Sequence, residues 1–326
     1  MKRSDFVQHS CSVCDFDTTE PWVILSPIEM DIKKKIETIG TRLKDWNIRI
    51  NYGIKTGYNE AFIIDSAKRD EILANCRTED ERTRTAELIR PILRGRDIKR
   101  YGYEWGELYL IATFPSRHYD IELYPAVKEY LLSFAKESLI ESGYQWVADD
   151  YLEDFCKQKI EQTGSTIEIQ GKHIKIGNHD EKSRKKTNNK WFETQDSIGY
   201  WEDFFKPKIV WGNLNKTASY SIAGSDFFIN APSPLLVPAS KYLLAILNSK
   251  LADYYIRTLG VVRNGGYFEY KPMFIEKLPV PIIDKCNPIY QKIEQMVNAQ
   301  DYVGIDHEVY NLFKLNKEEI NYIDSL

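Results

Sequence analysis

Long apolar runs are absent from this 326-residue sequence. No stretch approaches the roughly 18 apolar residues that a membrane-spanning helix needs. The N-terminal residues MKRSDFVQHS also lack the apolar core of a secretory signal. With 43% hydrophobic and 28% charged residues, the composition is that of an ordinary folded protein. We therefore expect a protein without a membrane partner and with a cytoplasmic location.

Cysteine is scarce as well, since the chain has only five. A small, odd number argues against a framework of disulfides. Cys11 and Cys14 form a C-x-x-C motif with His9 nearby, but the other cysteines stand alone. A structural zinc site needs about four ligands, usually as two spaced pairs. We therefore expect two reduced thiols at Cys11 and Cys14 and no metal site.

A surplus of positive charge is also missing, because the formal net charge is −4. A nucleic-acid site would therefore have to come from local clusters. The segment RPILRGRDIKRY is such a cluster, in which the cations Arg90, Arg94, Arg96, Lys99 and Arg100 stand against a single acid, Asp97. These side chains are candidates for contacts with a phosphate backbone. The alternative is a solvated turn with surface ion pairs.

The loop 171–190 is a second basic cluster. It carries seven Lys or Arg residues, among them Arg184 and Lys185, against two acids, which gives a local net charge of +5. A side-chain amide such as that of Asn188 can hydrogen-bond the edge of an adenine through two atoms. The loop is therefore a candidate for base reading, and the alternative is a surface insertion without a ligand.

Glycine occurs 17 times but never in a common phosphate-binding order. No G-x-G is present, so the chain lacks the glycine-rich turn that holds a methyl donor. In GIKTGYNEAF, residues 53–62, Lys55 and Thr56 precede Gly57. In a P-loop the lysine follows the last glycine instead. We interpret this segment as a glycine-bracketed turn and not as a nucleotide site.

Catalytic motifs are incomplete. A metal-dependent nuclease needs an Asp followed by Glu-x-Lys to hold Mg²⁺ and position a water. Glu269, Tyr270 and Lys271 provide the single match, with Asp253 upstream on a predicted helix. The string NPIY from Asn287 lacks the second proline of an adenine-methylation loop and is explained by a helix start. We find no complete active site.

Aromatic residues are concentrated in WFETQDSIGYWEDFFKPKIVW, residues 191–211. Such rings can stack on unstacked bases. Four acids in the same segment make it a poor electrostatic surface for DNA. The simpler interpretation is that the rings form core beneath a sheet.

Hydrophobic periodicity predicts the local structure. Residues 26–39 have one apolar face, and Ser26 with Glu29 forms a capping box at the start. The segments NIRINYG and AFIID are predicted as two strands that pair across the glycine turn. STIEIQGKHIKIG is predicted as a hairpin that turns at Gly171.

The C-terminal third is predicted to be helical. An apolar stripe indicates one long helix from Pro238 to Gly260, and Asn316 with Glu319 caps the last helix. The chain is thus predicted as α+β, with a strand-rich middle and a helical C-terminal part. We predict a leader and entry helix in residues 1–46, a mixed α/β domain in 47–237, and a helical part packing on it in 238–326.

Several segments, taken in order, resemble the TaqI-like C-terminal specificity domain, the DNA-recognition part of Type IIG restriction-modification enzymes. The resemblance covers roughly residues 30–325. The segments that carry it are KIETIGTRLKDWNIRINYGIKTGYNEAFIID, ELIRPILRGRDIKRY, YLIAT, YPAVKEYLLSF, WFETQDSIGYWEDFFKPKIVWG, LLAILNSKLADYYI, GGYFEYKPMFIEKLPVPI and DHEVYNLFKLNKEEINYID. Residues 142–190 fit the family pattern least.

The resemblance implies that the strand-rich middle is a target recognition domain for double-stranded DNA. In that family a methyltransferase core, often with a nuclease domain, methylates adenine or cuts nearby DNA. S-adenosylmethionine and Mg²⁺ would belong to that core and not to this chain. We expect the core elsewhere in the full-length protein or as a separate subunit. Whether this chain is itself an enzyme stays open.

The resemblance also suggests DNA contacts. The glycine turn would position the DNA backbone or serve chain geometry alone, the Arg/Lys cluster would contact phosphates, and loop side chains would read bases. The expected DNA-binding residues are Lys55, Thr56, Gly57, Asn59, Arg94, Arg96, Lys99, Arg100, Arg184, Lys185, Asn188, Arg263 and Asn264. Two alternatives are a standalone Mg²⁺-dependent nuclease using Asp253, Glu269 and Lys271, and a protein-binding scaffold that docks a methyltransferase subunit.

Overall fold

A computed structural model describes residues 25–132, 173–176, 179–182, 188–190 and 192–326, with backbone only for 173–176 and 179–182. Several sequence predictions lie outside the described residues: those on Cys11 and Cys14, on Arg184 and Lys185, and on a turn at Gly171.

Helices are numbered along the chain. They are α1 (Pro27–Ile39), α2 (Asn59–Phe62), α3 (Ser66–Ala74), α4 (Glu79–Leu88), α5 (described over 125–132), α6 (Lys241–Asn248), α7 (Lys250–Leu259), α8 (Pro272–Ile275), α9 (Pro288–Ala299), α10 (Tyr302–Leu312) and α11 (Lys317–Asp324). Among these described helices, none has the length and apolar character to cross a lipid bilayer.

Strands are short, as is usual where sheets are small. They are β1 (Thr41–Arg42), β2 (Arg49–Tyr52), β3 (Ile63–Asp65), β4 (Ile89–Leu93), β5 (Ile98–Lys99), β6 (Gly102–Tyr103), β7 (Leu108–Ile111), β8 (His173–Ile176), β9 (His179–Lys182), β10 (Lys208–Trp211), β11 (Leu214–Asn215), β12 (Tyr220–Ala223), β13 (Phe228–Ile229), β14 (Pro234–Val237), β15 (Val262–Arg263), β16 (Tyr267–Glu269) and β17 (Pro279–Val280).

The strand-rich unit comprises residues Arg49–Asn213 and Ser219–Ala239. One of its four-stranded sheets has the order β12-β10-β14-β2 and is antiparallel throughout. Another has the order β13-β4-β7-β3, in which β13 runs parallel to β4. Apolar side chains of this unit, including Phe62, Leu110 and Phe204, are fully buried in one continuous core.

The helical unit comprises the described residues up to Ile48 together with Leu214–Ala218 and Ser240–Leu326. Its sheets are the pair β1-β17 and the three-stranded sheet β11-β16-β15. Ile36, Leu243 and Ile293 are among the side chains buried in its interior. Separate sheets followed by a helical C-terminal part confirm the predicted α+β class. The three-part domain division stays a prediction.

Helix starts predicted from cap residues are confirmed. Ser26 and Glu29 form the capping box of α1, and Asn316 and Glu319 form that of α11. In each, the cap side chain accepts the N3 backbone N–H and the glutamate accepts the N-cap N–H. These interactions are local, which is why the sequence alone predicts them.

Strand pairing around the glycine turn differs from the prediction. β2 and β3 do not pair with each other; β2 pairs with β14, and β3 pairs with β7. The first residues of the predicted second strand form the short helix α2 instead. The prediction of a hairpin was wrong because both strands pair with partners that lie far away along the chain.

β8 pairs antiparallel with β9, with Ile176 opposite His179. One further prediction changes in detail. The predicted long helix is divided into α6 and α7 at Ser249, which ends the first helix and caps the second. The buried Ser249 hydroxyl donates to the Ile246 carbonyl and accepts the Ala252 N–H.

Candidate nucleic-acid interface

The glycine turn, which we call the Lys55 loop (residues 53–59), is built tightly into the strand-rich unit. A Cβ on Gly53 would lie 2.5 Å from the Ile229 carbonyl oxygen, and Gly57 has a φ of +82°. Thr56 is buried; its hydroxyl accepts the Tyr58 N–H at 3.1 Å and donates to Asn59 Oδ1 at 2.8 Å. Thr56 therefore stabilises the turn and is not available to a ligand.

Lys55 and Asn59 are the exposed side chains of this loop. They line an open depression of about 300 Å³ that also includes Gln195 and Asn230. Because Asn59 Oδ1 already accepts the Thr56 hydroxyl, a ligand in the depression would be bound by the Asn59 Nδ2 donor. An ammonium and an amide N–H₂ group are both donors to phosphate oxygens.

Arg94 is held within its own turn. Its Nε and Nη2 donate to the two carboxylate oxygens of Asp97 at 2.9 and 2.8 Å, and its backbone N–H donates to Asp97 as well. Asp97 is buried and the Arg94 side chain is 24% exposed. A carboxylate matched to a guanidinium fork is a strong pairing. Arg94 thus has a structural role, and a phosphate would have to displace Asp97 to bind it.

Arg96, Lys99 and Arg100 are exposed on the continuation of this turn, and we call residues 94–100 the Arg96 turn. Lys99 donates to the Arg96 carbonyl and lies 3.5 Å from the exposed carboxylate of Glu104. Such an exposed ion pair contributes little to the stability of the fold. The Arg100 guanidinium lies 5.2 Å from the centre of the Tyr101 ring. Three cations are therefore presented at the surface within five residues.

Residues 229–233, which we call the anchor segment, bring the Lys55 loop and the Arg96 turn side by side. On one side, Ile54 donates to the Ile229 carbonyl and Gly53 to the Ser233 carbonyl. On the other, Asn230 donates to the Leu93 carbonyl, immediately before the Arg96 turn. Both basic elements are thus fixed to one short stretch of backbone, a proximity that the sequence did not indicate.

Asn188 lies next to the Lys55 loop. The neighbouring Asn189 donates through Nδ2 to the carbonyls of Thr194 and Gln195 at 2.9 and 2.8 Å. Gln195 in turn donates its N–H to the Thr56 carbonyl. The exposed Asn188 side chain is therefore carried on a fixed backbone beside the other donors.

Arg263 and Asn264 belong to the helical unit, on the β15–β16 hairpin whose turn includes Gly265 and Gly266 at positive φ. Arg263 Nε donates to Glu269 Oε1 at 2.6 Å, and Nη2 contacts the same oxygen. Its side chain remains 55% exposed. Asn264 is exposed at the turn.

One face of this small sheet groups cations that the sequence did not place together. Strand pairing places Leu214 opposite Glu269 and Arg263 opposite Tyr267, so all four lie on one face. Lys271 reaches Glu269 Oε2 at 2.7 Å, and Lys216 lies 5.5 Å from the Tyr267 ring centre. Lys216 and Lys271 are far from each other in sequence, so only the strand pairing reveals this grouping.

The nuclease alternative is not supported by the geometry. Glu269 is held by Lys271 and Arg263, whose hydrogen bonds lower the pKa of its carboxyl group. Asp253 is instead bound by the Tyr270 hydroxyl and by Arg257. Tyr270 and Glu269 are adjacent, so their side chains leave the backbone on opposite sides. In the described part of the chain, no group of three or more metal-ligating side chains is assembled.

Several rings of the aromatic segment, residues 191–211, belong to the core, as the sequence predicted. Phe192, Phe204 and Trp211 are buried. Trp201 is half-buried and Phe205 is 39% exposed. Among the described rings of this segment, Trp201 and Phe205 therefore retain surface for a partner.

Comparison with known proteins agrees with the resemblance seen in the sequence. Residues 158–280 match the family of the TaqI-like C-terminal specificity domain. No curated protein sequence matches the chain. The solved structure of the type IIG restriction endonuclease BpuSI aligns with a TM-score of 0.51 and 12% identity, over 83% of this chain. The type IIL restriction-modification enzyme MmeI, solved in complex with DNA, aligns with a TM-score of 0.51 and 10% identity, over 88% of this chain.

The chain spans only part of these enzymes, 27% of BpuSI and 37% of MmeI. At such low identity the similarity concerns the fold. The expected resemblance to a TaqI-like specificity domain is confirmed by the family match over residues 158–280. Outside that range the two restriction enzymes show a similar fold.

Proposed function

We propose that this chain, which contains a TaqI-like specificity domain, is the DNA-recognition module of a Type IIG-like restriction-modification enzyme. It would bind double-stranded DNA and select the sequence at which a catalytic core acts. Methyl transfer and cleavage would be carried out by that core, in the full-length protein or as a separate subunit. A cytoplasmic location remains our expectation from the sequence.

The juxtaposition of the Lys55 loop and the Arg96 turn on the anchor segment carries this proposal. Lys55, Arg96, Lys99 and Arg100 are exposed on neighbouring elements of one compact unit. The whole chain has a net charge of −4, so these cations form a local positive site on an otherwise acidic protein. Local cations that neutralise phosphates are the main source of affinity for DNA.

Base reading would come from loop side chains. Asn188 is carried beside the Lys55 loop, and Arg263 and Asn264 stand on an exposed hairpin of the helical unit. Arginine donors match the acceptors of guanine, and an asparagine amide matches adenine. Arg184 and Lys185 remain proposed contacts on the strength of the sequence.

The chemistry of the catalytic core is a further part of the proposal. We propose that the core methylates adenine with S-adenosylmethionine as donor and uses Mg²⁺ for cleavage. The chain described here would contribute neither cofactor site. Its task would be to hold the duplex while the core extracts the target base.

The test is duplex binding measured as a function of salt. Fluorescence anisotropy of the 326-residue chain with a labelled duplex would give the slope of log affinity against log salt. The variant Arg96→Gln/Lys99→Gln/Arg100→Gln should reduce that slope by about 2 to 3, because each phosphate contact contributes about 0.9.

A matched control is Lys34→Gln/Lys285→Gln/Lys317→Gln, which removes the same charge from exposed positions elsewhere. We expect the control to keep both the affinity and the salt slope of the wild type. Equal losses in both triple variants would show that only total charge matters, and unchanged binding in the first would refute the proposed site.

A further inference from the structure

A second basic and aromatic surface lies on the strand-rich unit, around the short 3-10 turn Trp201–Phe205. We call it the Trp201 patch and define it by the residues Arg49, Arg90, Arg117, Trp201, Phe205 and Lys206. The proposed duplex site uses none of them.

The turn divides its rings between interior and surface. Phe204 is buried and stacks on Phe228 with ring centres 4.8 Å apart. Trp201 and Phe205 remain at the surface, in edge-to-face contact with ring centres 5.3 Å apart. Burial of Phe204 therefore fixes the turn, and the turn fixes the two surface rings.

Guanidinium groups lie over both surface rings. The Arg117 guanidinium carbon is 4.0 Å from the centre of the Trp201 ring, and that of Arg90 is 5.3 Å from the centre of the Phe205 ring. Contacts of this kind are attractive because the ring face carries partial negative charge. They also hold the two guanidinium groups beside the rings.

A buried carboxylate orients the other two cations. Asp203, whose side chain is 4% exposed, accepts both Nε and Nη2 of Arg49 and the Lys206 ammonium at 2.9 Å. Arg49 and Lys206 are themselves 62% and 48% exposed. Their hydrogen bonds keep the pKa of the Asp203 carboxyl group below its usual value. The acid is thus neutralised internally, while both cations face solvent.

Cations interleaved with aromatic rings suit an unpaired strand better than a duplex. Phosphates would meet Arg49 and Lys206, while base faces would stack on the guanidinium groups of Arg117 and Arg90 that the Trp201 and Phe205 rings hold in place. In a duplex the base faces are hidden by the neighbouring bases, so the guanidinium groups would find no base to stack on there. Glu202 is the exposed acid of the same turn, and the four cations outnumber it.

We propose that the Trp201 patch binds unpaired DNA, taking phosphates and base faces from a locally opened strand. This rests on the proposed function only in that DNA is the ligand, and it adds a second site for single strands. Such a site would stabilise the duplex in an opened state while the core works on one base.

The experiment compares two ligands and two double variants of the full chain. The ligands are a fluorescein-labelled dT12 oligonucleotide and a labelled duplex. Arg117→Gln/Lys206→Gln should weaken dT12 binding about fivefold to tenfold and lower its salt slope by about 1, given a slope near 0.7 per phosphate of a single strand. Duplex affinity should stay within twofold of the wild type.

Arg96→Gln/Lys99→Gln is the matched control, with the same charge removed from the duplex site. This variant should weaken duplex binding and leave the affinity for dT12 within twofold of the wild type. Trp201→Leu should weaken dT12 about tenfold through loss of stacking, provided that its melting temperature is that of the wild type. Both charge variants remove exposed side chains, so they test the proposal even if Trp201→Leu fails to fold.

Each outcome separates this inference from the proposed function. Undetectable dT12 binding, or dT12 affinity unchanged in Arg117→Gln/Lys206→Gln, would overturn the single-strand site whatever the duplex result. Binding of dT12 that depends on the patch, without any duplex binding, would support this inference and refute the proposed function. Equal weakening of dT12 by both double variants would also overturn it, since charge alone would then explain binding.

Discussion

Arg94 and Arg96 stand two positions apart on one turn, but the fold uses them differently. Arg94 directs its guanidinium inward to a buried carboxylate, whereas Arg96 is exposed. An arginine that already has a bidentate acceptor has fewer donors for a phosphate. At the scale of single residues, stability and binding are therefore expected to separate cleanly on this turn.

The two arginines predict opposite phenotypes. Arg94→Gln should lower the free energy of unfolding by about 2 kcal/mol or more, because Asp97 would remain buried without its partner. Arg96→Gln should change that free energy by less than about 0.5 kcal/mol but reduce the salt slope of duplex binding by about 1. Urea unfolding and anisotropy titrations measure the two effects. A reversed pattern would place the binding role on Arg94.

Lys208 predicts a pH effect. This lysine is fully buried, and its ammonium donates to the carbonyls of Gly224 and Lys206 at 2.7 and 3.0 Å. Burial lowers the pKa of Lys208 from 10.5 to about 8. A neutral amine still has two N–H groups for the two carbonyls. The folded chain can therefore lose this proton without losing either hydrogen bond.

Above pH 8 the unfolded chain holds a proton at Lys208 that the folded chain has released, so stability rises with pH until the unfolded lysine also titrates. We expect the free energy of unfolding of the wild type, relative to Lys208→Met, to increase by about 2 kcal/mol between pH 7 and 9.5. Urea unfolding at both pH values measures it. Lys34→Met is the exposed control, and the difference in free energy of unfolding between it and the wild type should be the same at both pH values. If the difference for Lys208→Met were also the same at both pH values, the buried lysine would keep its proton.

At the scale of elements, the break between α6 and α7 depends on one hydroxyl. Ser249 is buried, accepts the Ala252 N–H in the first turn of α7 and donates to the Ile246 carbonyl near the end of α6. Alanine cannot replace either hydrogen bond. The same residue therefore ends one helix and starts the next.

Ser249→Ala should lower the free energy of unfolding by about 1 to 2 kcal/mol, the usual cost of losing an N-cap. Thermal or urea unfolding measures this loss. Ser325→Ala, at an exposed position after the last helix, is the control and should cost less than about 0.5 kcal/mol. A loss at Ser249 no greater than at Ser325 would mean that packing, and not the cap, fixes the break.

Local interactions explain which elements the sequence predicted. Ser26, Glu29, Asn316 and Glu319 lie within three residues of their partners, so the capping boxes are visible in the sequence. The division at Ser249 was missed because the apolar stripe continues through it. Partners of β2 and β3 were missed because they are more than forty residues away along the chain, and pairing over such distances leaves no local signal.

In the candidate site, too, the sequence predicted the features that depend on local residues and missed those that depend on distant ones. The exposure of Arg96, Lys99 and Arg100 follows from a polar turn that the sequence displays. The burial of Thr56 and the proximity of the Lys55 loop to the Arg96 turn depend on the anchor segment, more than 120 residues beyond both. Lys216 at the Tyr267 ring and Lys271 at Glu269 are brought to the same small sheet only through the strand order β11-β16-β15. Residue types were therefore predictable, and their grouping was not.

At the scale of the whole molecule, the proposal requires binding without catalysis. The chain corresponds to 27% and 37% of the two restriction enzymes that it resembles in fold. Recognition and chemistry should therefore be separable by experiment.

We expect the purified chain, given duplex, S-adenosylmethionine and Mg²⁺, to bind the duplex but to transfer no methyl group and cut no strand. Tritium incorporation and gel analysis of the DNA measure both activities. Glu269→Ala is the informative variant, because the nuclease alternative requires that carboxylate. Cleavage by the wild type that disappears in Glu269→Ala would restore the nuclease alternative and end the division of labour proposed here.

The anchor segment has a consequence for how such a module can acquire a new target. The separation between the Lys55 loop and the Arg96 turn is set by backbone hydrogen bonds to residues 229–233 and not by the side chains that the two elements expose. Exchange of those side chains would thus leave the separation unchanged. A change that distorts the anchor backbone would instead displace the two elements relative to each other, and would alter the proposed fit to a DNA backbone whatever the base sequence.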